Sequence, residues 1–183
     1  MASLFDRLAR PIQTSPQNTW FTGLAMGARV ATGRGECPVE ALRIGESVLT
    51  RDSGLQRIIA INHELCETRT TRAVLIRKGA LGHDLPERDM TVSATHRVLV
   101  VSGQMRLFFD VDEAFVAAGD LVGRHGVEWT DAPAAGWLSI SLASHEIILT
   151  EGTWSETEPL RLAGGQPVTG RRVLKRFEAQ LLS

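Results

Sequence analysis

Long apolar runs are missing from this 183-residue chain, and no window approaches the roughly 20 apolar residues that a membrane span requires. Its first ten residues, Met-Ala-Ser-Leu-Phe-Asp-Arg-Leu-Ala-Arg, contain no basic stretch followed by an apolar core, so no Sec-type leader is expected. A cytoplasmic location is the expectation, with leaderless export left open. An excess of charge is missing too. The formal net charge is -1, which removes the bulk electrostatic case for a nucleic-acid partner or an anionic membrane surface. Cysteine is scarce: Cys37 and Cys66 stand far apart and form no Cys-x-x-Cys pair, so neither a disulfide framework nor a metal knuckle is indicated. Two reduced thiols are the default, a single disulfide stays open, and no metal or cofactor is expected.

With 43% apolar and 22% charged residues, the chain reads as one globular domain of ordinary size, large enough to bury a substantial core. β signals dominate it. Alternating or continuous β-branched residues predict strands at 28–32, 47–51, 56–65, 72–77, 90–93, 97–101, 137–142 and 146–150. Asp52-Ser53-Gly54 reads as a hairpin connection and 81–88 as a polar loop. The spacing of Val111, Phe115, Ala118 and Val122 predicts a helix over 109–122, stopped by Gly123. Residues 1–10 suit a short helix with Leu4, Phe5 and Leu8 on one side, and 11–18 read as a linker. After a flexible stretch at 162–170, residues 171–182 suit a small amphipathic helix whose Arg171, Arg172, Lys175 and Arg176 read as a solvated basic face, with contact to an acidic partner as the alternative.

The stretch from Gly23 to Thr50 runs strand, turn, one helical turn opened by Pro38, then Gly45 and a second strand. Its Gly27, Thr32, Gly35, Pro38, Val39, Glu40, Leu42, Gly45 and Val48 resemble the opening block of the Hedgehog/intein, or Hint, family. Gly23 stands where that family carries its nucleophile. A second block, Asp89-Met-Thr-Val-Ser-Ala-Thr-His96, resembles the family's Thr-x-x-His segment, with Ser93 in the hydroxyl position and His96 as the histidine. A third, Trp137 to Gly152, resembles the closing hairpin, with His145 as its histidine. Gly-Ala-Leu-Gly at 79–82 and Leu-Pro-Glu-Arg-Asp at 85–89 bring the chain nearest to a bacterial Hint subgroup.

The resemblance implies an all-β fold, a flattened horseshoe of curved strands with pseudo-two-fold halves, plus one or two short helices. It divides the chain into an N-terminal extension (1–22), a Hint-like domain (23–157) and a C-terminal extension with a short basic amphipathic helix (158–183). It also assigns roles: His96 would protonate or strain the departing amide while Ser93 holds the bond before residue 23. An amide nitrogen leaves poorly unless protonated, which is why imidazole suits the task. A histidine between two strands is otherwise a hydrogen-bonded packing residue, and Ser93 otherwise caps a turn.

Two reactants of that chemistry are lacking. Gly23 offers no nucleophile, and Thr153 to Glu158, beyond Gly152, contains no Asn to cyclise. Thr22 adjoins the vacant position but lies one residue out of register, so its side chain is expected on the opposite strand face. Cys37 and Cys66 read as ordinary thiols, and His63, His83 and His125 receive no role. The expected function is therefore a degenerate Hint domain without autoprocessing, an interaction or accessory module for a protein or peptide partner. The alternative is residual self-cleavage or hydrolysis using His96 with a hydroxyl or water. A third reading is a binding domain whose cleft holds a peptide or small molecule.

Overall fold

The computed structural model describes residues 22–65, 72–159 and 170–182. Strand β1 (Arg29–Thr32) turns into β2 (Gly35–Pro38), and a single 3-10 turn at Val39–Ala41 leads to β3 (Ser47–Thr50). Pro38 opens that turn, where its missing N–H has no intrahelical partner to lose. The next strand, β4 (Gly54–Glu64), bends the sheet by serving two neighbours. Its first half pairs with β3, from Thr50↔Gly54 to Ser47↔Arg57, and its second half with β10 (Trp137–Leu142), from Leu142↔Ile58 to Trp137↔Glu64. The register slips between Ser141 and Leu142, the kind of irregularity that curves a ladder.

From there the large sheet continues through β1, then β11 (Ile147–Thr150), β12 (Thr153–Glu156), β7 (Arg97–Val101), β8 (Glu113–Ala117) and β13 (Val173–Leu174). A smaller sheet has β5 (Arg72–Ile76) at its centre, flanked by β6 (Met90–Ser93) and β9 (Val127–Asp131). Val30, Val48, Ile58, Val74, Val92, Val98, Val116 and Leu121 belong to one buried cluster that draws on both sheets. Each such side chain contributes about 1.5–3 kcal/mol relative to an exposed one. All six residues of β10 are buried, Ser139 and Ser141 included, because both of its faces are covered.

Leu24 joins the two sheets. It bridges Leu138 of β10, donating to its carbonyl and accepting from its N–H at 2.9 Å each, and it also bridges Val92 of β6. The next residue, Ala25, donates to Thr91 O at 3.0 Å.

All eight expected strands occur, with ends shifted by at most two residues, and the chain is all-β with short helices. The helix expected over 109–122 does not form. Helix α1 (Met105–Phe109) ends at Asp110, whose φ of 54° breaks the helical path, and β8 and the one-turn helix α2 (Ala118–Leu121) follow. Ala114, Phe115 and Val116 are all buried, because β8 lies between β7 and β13 with both faces covered. A helix over this stretch would have left one of those faces in water. Strands β2, β9 and β12 are additions to the expected set.

The tail also differs from expectation. Residues 173–174 form β13, parallel to β8, before the short helix α3 (Arg176–Ala179). Leu174, Ala179 and Leu182 are buried in the main cluster. Arg171 pairs with Asp52 and Glu113, and Arg172 pairs with Glu178, so these two cations are engaged within the chain. The helix expected at 1–10, the linkers at 11–18 and 162–169, and Cys66 lie outside the described residues.

Candidate functional site

The Gly23 strand is held from two sides. Gly23 exchanges two hydrogen bonds with the end of β6: its N–H donates to Ser93 Oγ at 3.0 Å, and its carbonyl accepts from Ser93 N–H at 2.9 Å. That N–H belongs to the amide joining Thr22 to Gly23, so the hydroxyl of Ser93 sits on the bond for which the sequence nominates it. Thr22, on the opposite strand face, faces a carboxylate: its N–H and its hydroxyl both donate to Glu158 Oε2, each at 3.0 Å. Glu158 is itself set by its backbone N–H, which donates to Ile140 O at 2.9 Å. Thr22 and Glu158 are both buried.

Ser93 and His96 close a tight turn through His96 N–H to Ser93 O at 3.0 Å. The turn is pinned to α2 by Ala118 N–H on His96 O and by Gly119 N–H on Ala94 O, at 2.8 and 2.9 Å. Gly119 fits closely there: a Cβ would approach Ala94 O to 3.1 Å and the Trp129 ring to 3.2 Å. The imidazole of His96 is 1% exposed, and neither of its ring nitrogens makes a hydrogen bond. Burial pushes its pKa down to about 3, since nothing compensates the charged form for lost water. It is therefore a neutral ring at pH 7. The packing expectation of a hydrogen-bonded histidine is not met, and neither is the protonated state a general acid needs.

His145 belongs to another cluster. Its Nε2 is 3.0 Å from Glu156 Oε1, in an orientation that makes no hydrogen bond, and Arg97 Nη1 lies 3.3 Å from both Glu156 oxygens. The structure thus pairs Gly23 with Ser93 and holds His96 in the buried turn that follows Ser93, while His145 reaches the Glu156 carboxylate beside Arg97. No group of three or more metal-ligating side chains occurs among the described residues. Cys37 is half-buried on β2, opposite Val30.

Two participants escaped the sequence reading. Glu158 lies in the polar run Ser155-Glu156-Thr157-Glu158, every residue of which is buried, although nothing in its composition distinguishes it from a solvated strand end. Thr22 is set aside there because it points away from the expected site. It does point away, but into a second polar contact.

A family model described as the Hint domain matches residues 22–159. No curated protein matches the chain. Among solved structures, the fold is similar to a bacterial intein-like domain from Clostridium thermocellum, at 12% identity and a TM-score of 0.52, covering 75% of this chain and 99% of that one. The MchDnaB-1 intein is similar at 11% identity and a TM-score of 0.47, covering 74% and 99%. For the gp41-1 intein the values are 10%, 0.45, 74% and 98%.

Proposed function

The chain belongs to the Hint domain family, and from that premise we propose that it is a member without self-cleavage at the bond between Thr22 and Gly23, acting as an interaction or accessory module toward a protein or peptide partner. The observation that carries this reading is Gly23 itself: the residue whose amide is held by Ser93 has no side chain with which to attack. Nucleophilic catalysis needs both an activated group and an acid for the leaving nitrogen. Burial pushes the His96 pKa down to about 3, so its ring is neutral at pH 7 and lacks the second proton that an acid would deliver. The absence of Asn from 153–158 removes the reactant of the second, cyclising step. What remains is a set of hydrogen bonds from Ser93 and Glu158 that hold the chain's own backbone at residues 22 and 23.

The test is intact-mass measurement of the purified protein after incubation with and without a thiol or hydroxylamine. The mass is expected to stay unchanged, and a fragment ending at Thr22 overturns the reading. One observation favours the alternative of residual cleavage by a hydroxyl: Thr22 Oγ1 donates to Glu158 at the distance a general base requires. Against it, the same carboxylate oxygen also accepts the Thr22 N–H, which makes the pair a static clamp. A fragment beginning at Thr22, lost in His96→Ala without a matching loss of thermal stability, would establish that alternative.

A further inference from the structure

The tail helix is turned inside out. Helix α3 and the 3-10 turn that continues it (Gln180–Leu182) pack on α2, and the residues they bury are Ala179 and Leu182. Phe177 and Leu181, one helical turn apart and therefore on one face, stand 62% and 52% exposed. An amphipathic segment that met only water on its outer side would bury its largest apolar side chain and expose the small one. Here Phe177 points out while Ala179 points in.

Charge singles out this face. Four of the chain's 20 cations but only one of its 21 carboxylates lie in 171–182, so the tail is basic and the remainder of the chain is acidic. Arg171 is engaged by Asp52 and Glu113, and Arg172 by Glu178. Lys175 and Arg176 are both exposed and form no ion pair among the described residues. Glu178, the one carboxylate of the segment, already accepts from Arg172 Nη2 at 2.6 Å and from Lys175 N–H at 2.8 Å, and the Lys175 ammonium acts on it only through space. The exposed pair Leu107 and Phe108 on α1 makes the contrast, because the cation beside it, Arg106, is neutralised by Asp112 at 2.5 Å. That patch selects no partner by charge, whereas the Phe177 face selects an acidic one.

Two other occupants fit worse. A second copy would set Lys175 and Arg176 of one chain against the same cations of the next. An anionic membrane would repel the acidic remainder of the chain and receive only two apolar side chains. Resting on the accessory reading argued above, we propose that the exposed face of α3, Phe177 and Leu181 flanked by Lys175 and Arg176, docks an acidic segment of a partner protein that carries apolar residues among its carboxylates.

Fluorescence anisotropy with the full chain at low ionic strength tests it, using labelled peptides of repeated Leu-Glu-Glu-Leu, Ser-Glu-Glu-Ser and Leu-Lys-Lys-Leu as probes. The first is expected to bind saturably and at least about tenfold more tightly than the other two, since it alone supplies both apolar and acidic groups. Phe177→Ser, and separately the pair Lys175→Glu and Arg176→Glu, are each expected to weaken that binding by at least about tenfold, while Leu107→Ser leaves it within about twofold. Each altered side chain is exposed, so thermal unfolding of the variants is expected to match that of the parent. The proposal fails if the Leu-Glu-Glu-Leu peptide does not bind saturably, if either of the other peptides binds as well, if the tail variants bind like the parent, or if Leu107→Ser loses as much as they do. It fails too if the chain sediments with phosphatidylserine vesicles, or forms a dimer, and Phe177→Ser abolishes that behaviour, which would give the face to a membrane or to a second copy. A fragment ending at Thr22 would sink the accessory reading and leave this binding in place, so the two fail separately.

Discussion

Residues 22–24 and residues 171–174 each lay a short stretch of chain against a strand, yet the two are fastened by different physics. At the first, every donor is neutral and buried: Thr22 N–H and hydroxyl on Glu158, and Gly23 N–H on Ser93. At the second, the fastening is guanidinium on carboxylate in partly wet surroundings. Arg171 grips Asp52 with two bonds of 2.8 Å and also reaches Glu113, which Arg51 shares. The Arg171 and Asp52 side chains are 23% and 49% exposed. Water and salt can reach and replace the second set of bonds. The first set is buried, so water and salt do not reach it.

Three measurements sharpen or break this contrast. The largest effect belongs to Glu158→Ala, which strands two buried donors of Thr22 and is expected to lower unfolding free energy by about 2–4 kcal/mol, to a similar extent at low and high salt. Urea unfolding at two salt concentrations reads it, and a loss that fades with salt would place Glu158 with the wet contacts. Next comes His96. Its folded-state pKa lies below its ordinary 6.5, so the unfolded chain binds the proton that the folded one refuses. Its contribution is therefore full above pH 6.5 and drains as pH falls toward about 3, at up to about 1.4 kcal/mol per pH unit. His96→Leu should remove that slope from the variant's stability curve, so that parent and variant curves converge or diverge as pH falls below 6.5, and parallel curves would mean that the ring finds a proton partner when folded. The smallest effect is expected for Arg171→Ala, about 0.5–1 kcal/mol at low ionic strength and less near 1 M salt, since partly exposed pairs are weak and screened. If it exceeds the cost of Glu158→Ala, the ranking of the two fastenings is wrong.

The strands were readable because Val, Ile and Leu recur along them with turn residues between. The helix expected at 109–122 shows where that logic fails. Val111, Phe115, Ala118 and Val122 recur at helical spacing, but Ala114 and Val116 are as buried as Phe115 and Ala118, and a strand covered on both faces carries no alternation to betray it. Thr22 fails for a related reason. The register argument turns its side chain from the Ser93 side but does not say what that other face meets, and here it meets Glu158. The pairing of Gly23 with Ser93 was legible because the spacing of the two blocks repeats a family pattern. Glu158 was not, because its partner is 136 positions away.

Leu24 carries a mechanical consequence. With its own backbone bonded to β10 and that of Ala25 bonded to β6, tension on the 21 residues ahead of Thr22 loads both sheets in parallel. A pull on the C-terminal segment instead loads one edge strand, β13, and the ion pairs beside it. As a tether point between a moving partner and a rigid body, the N-terminal side of this domain is the anchored end, and the tail is the end that peels.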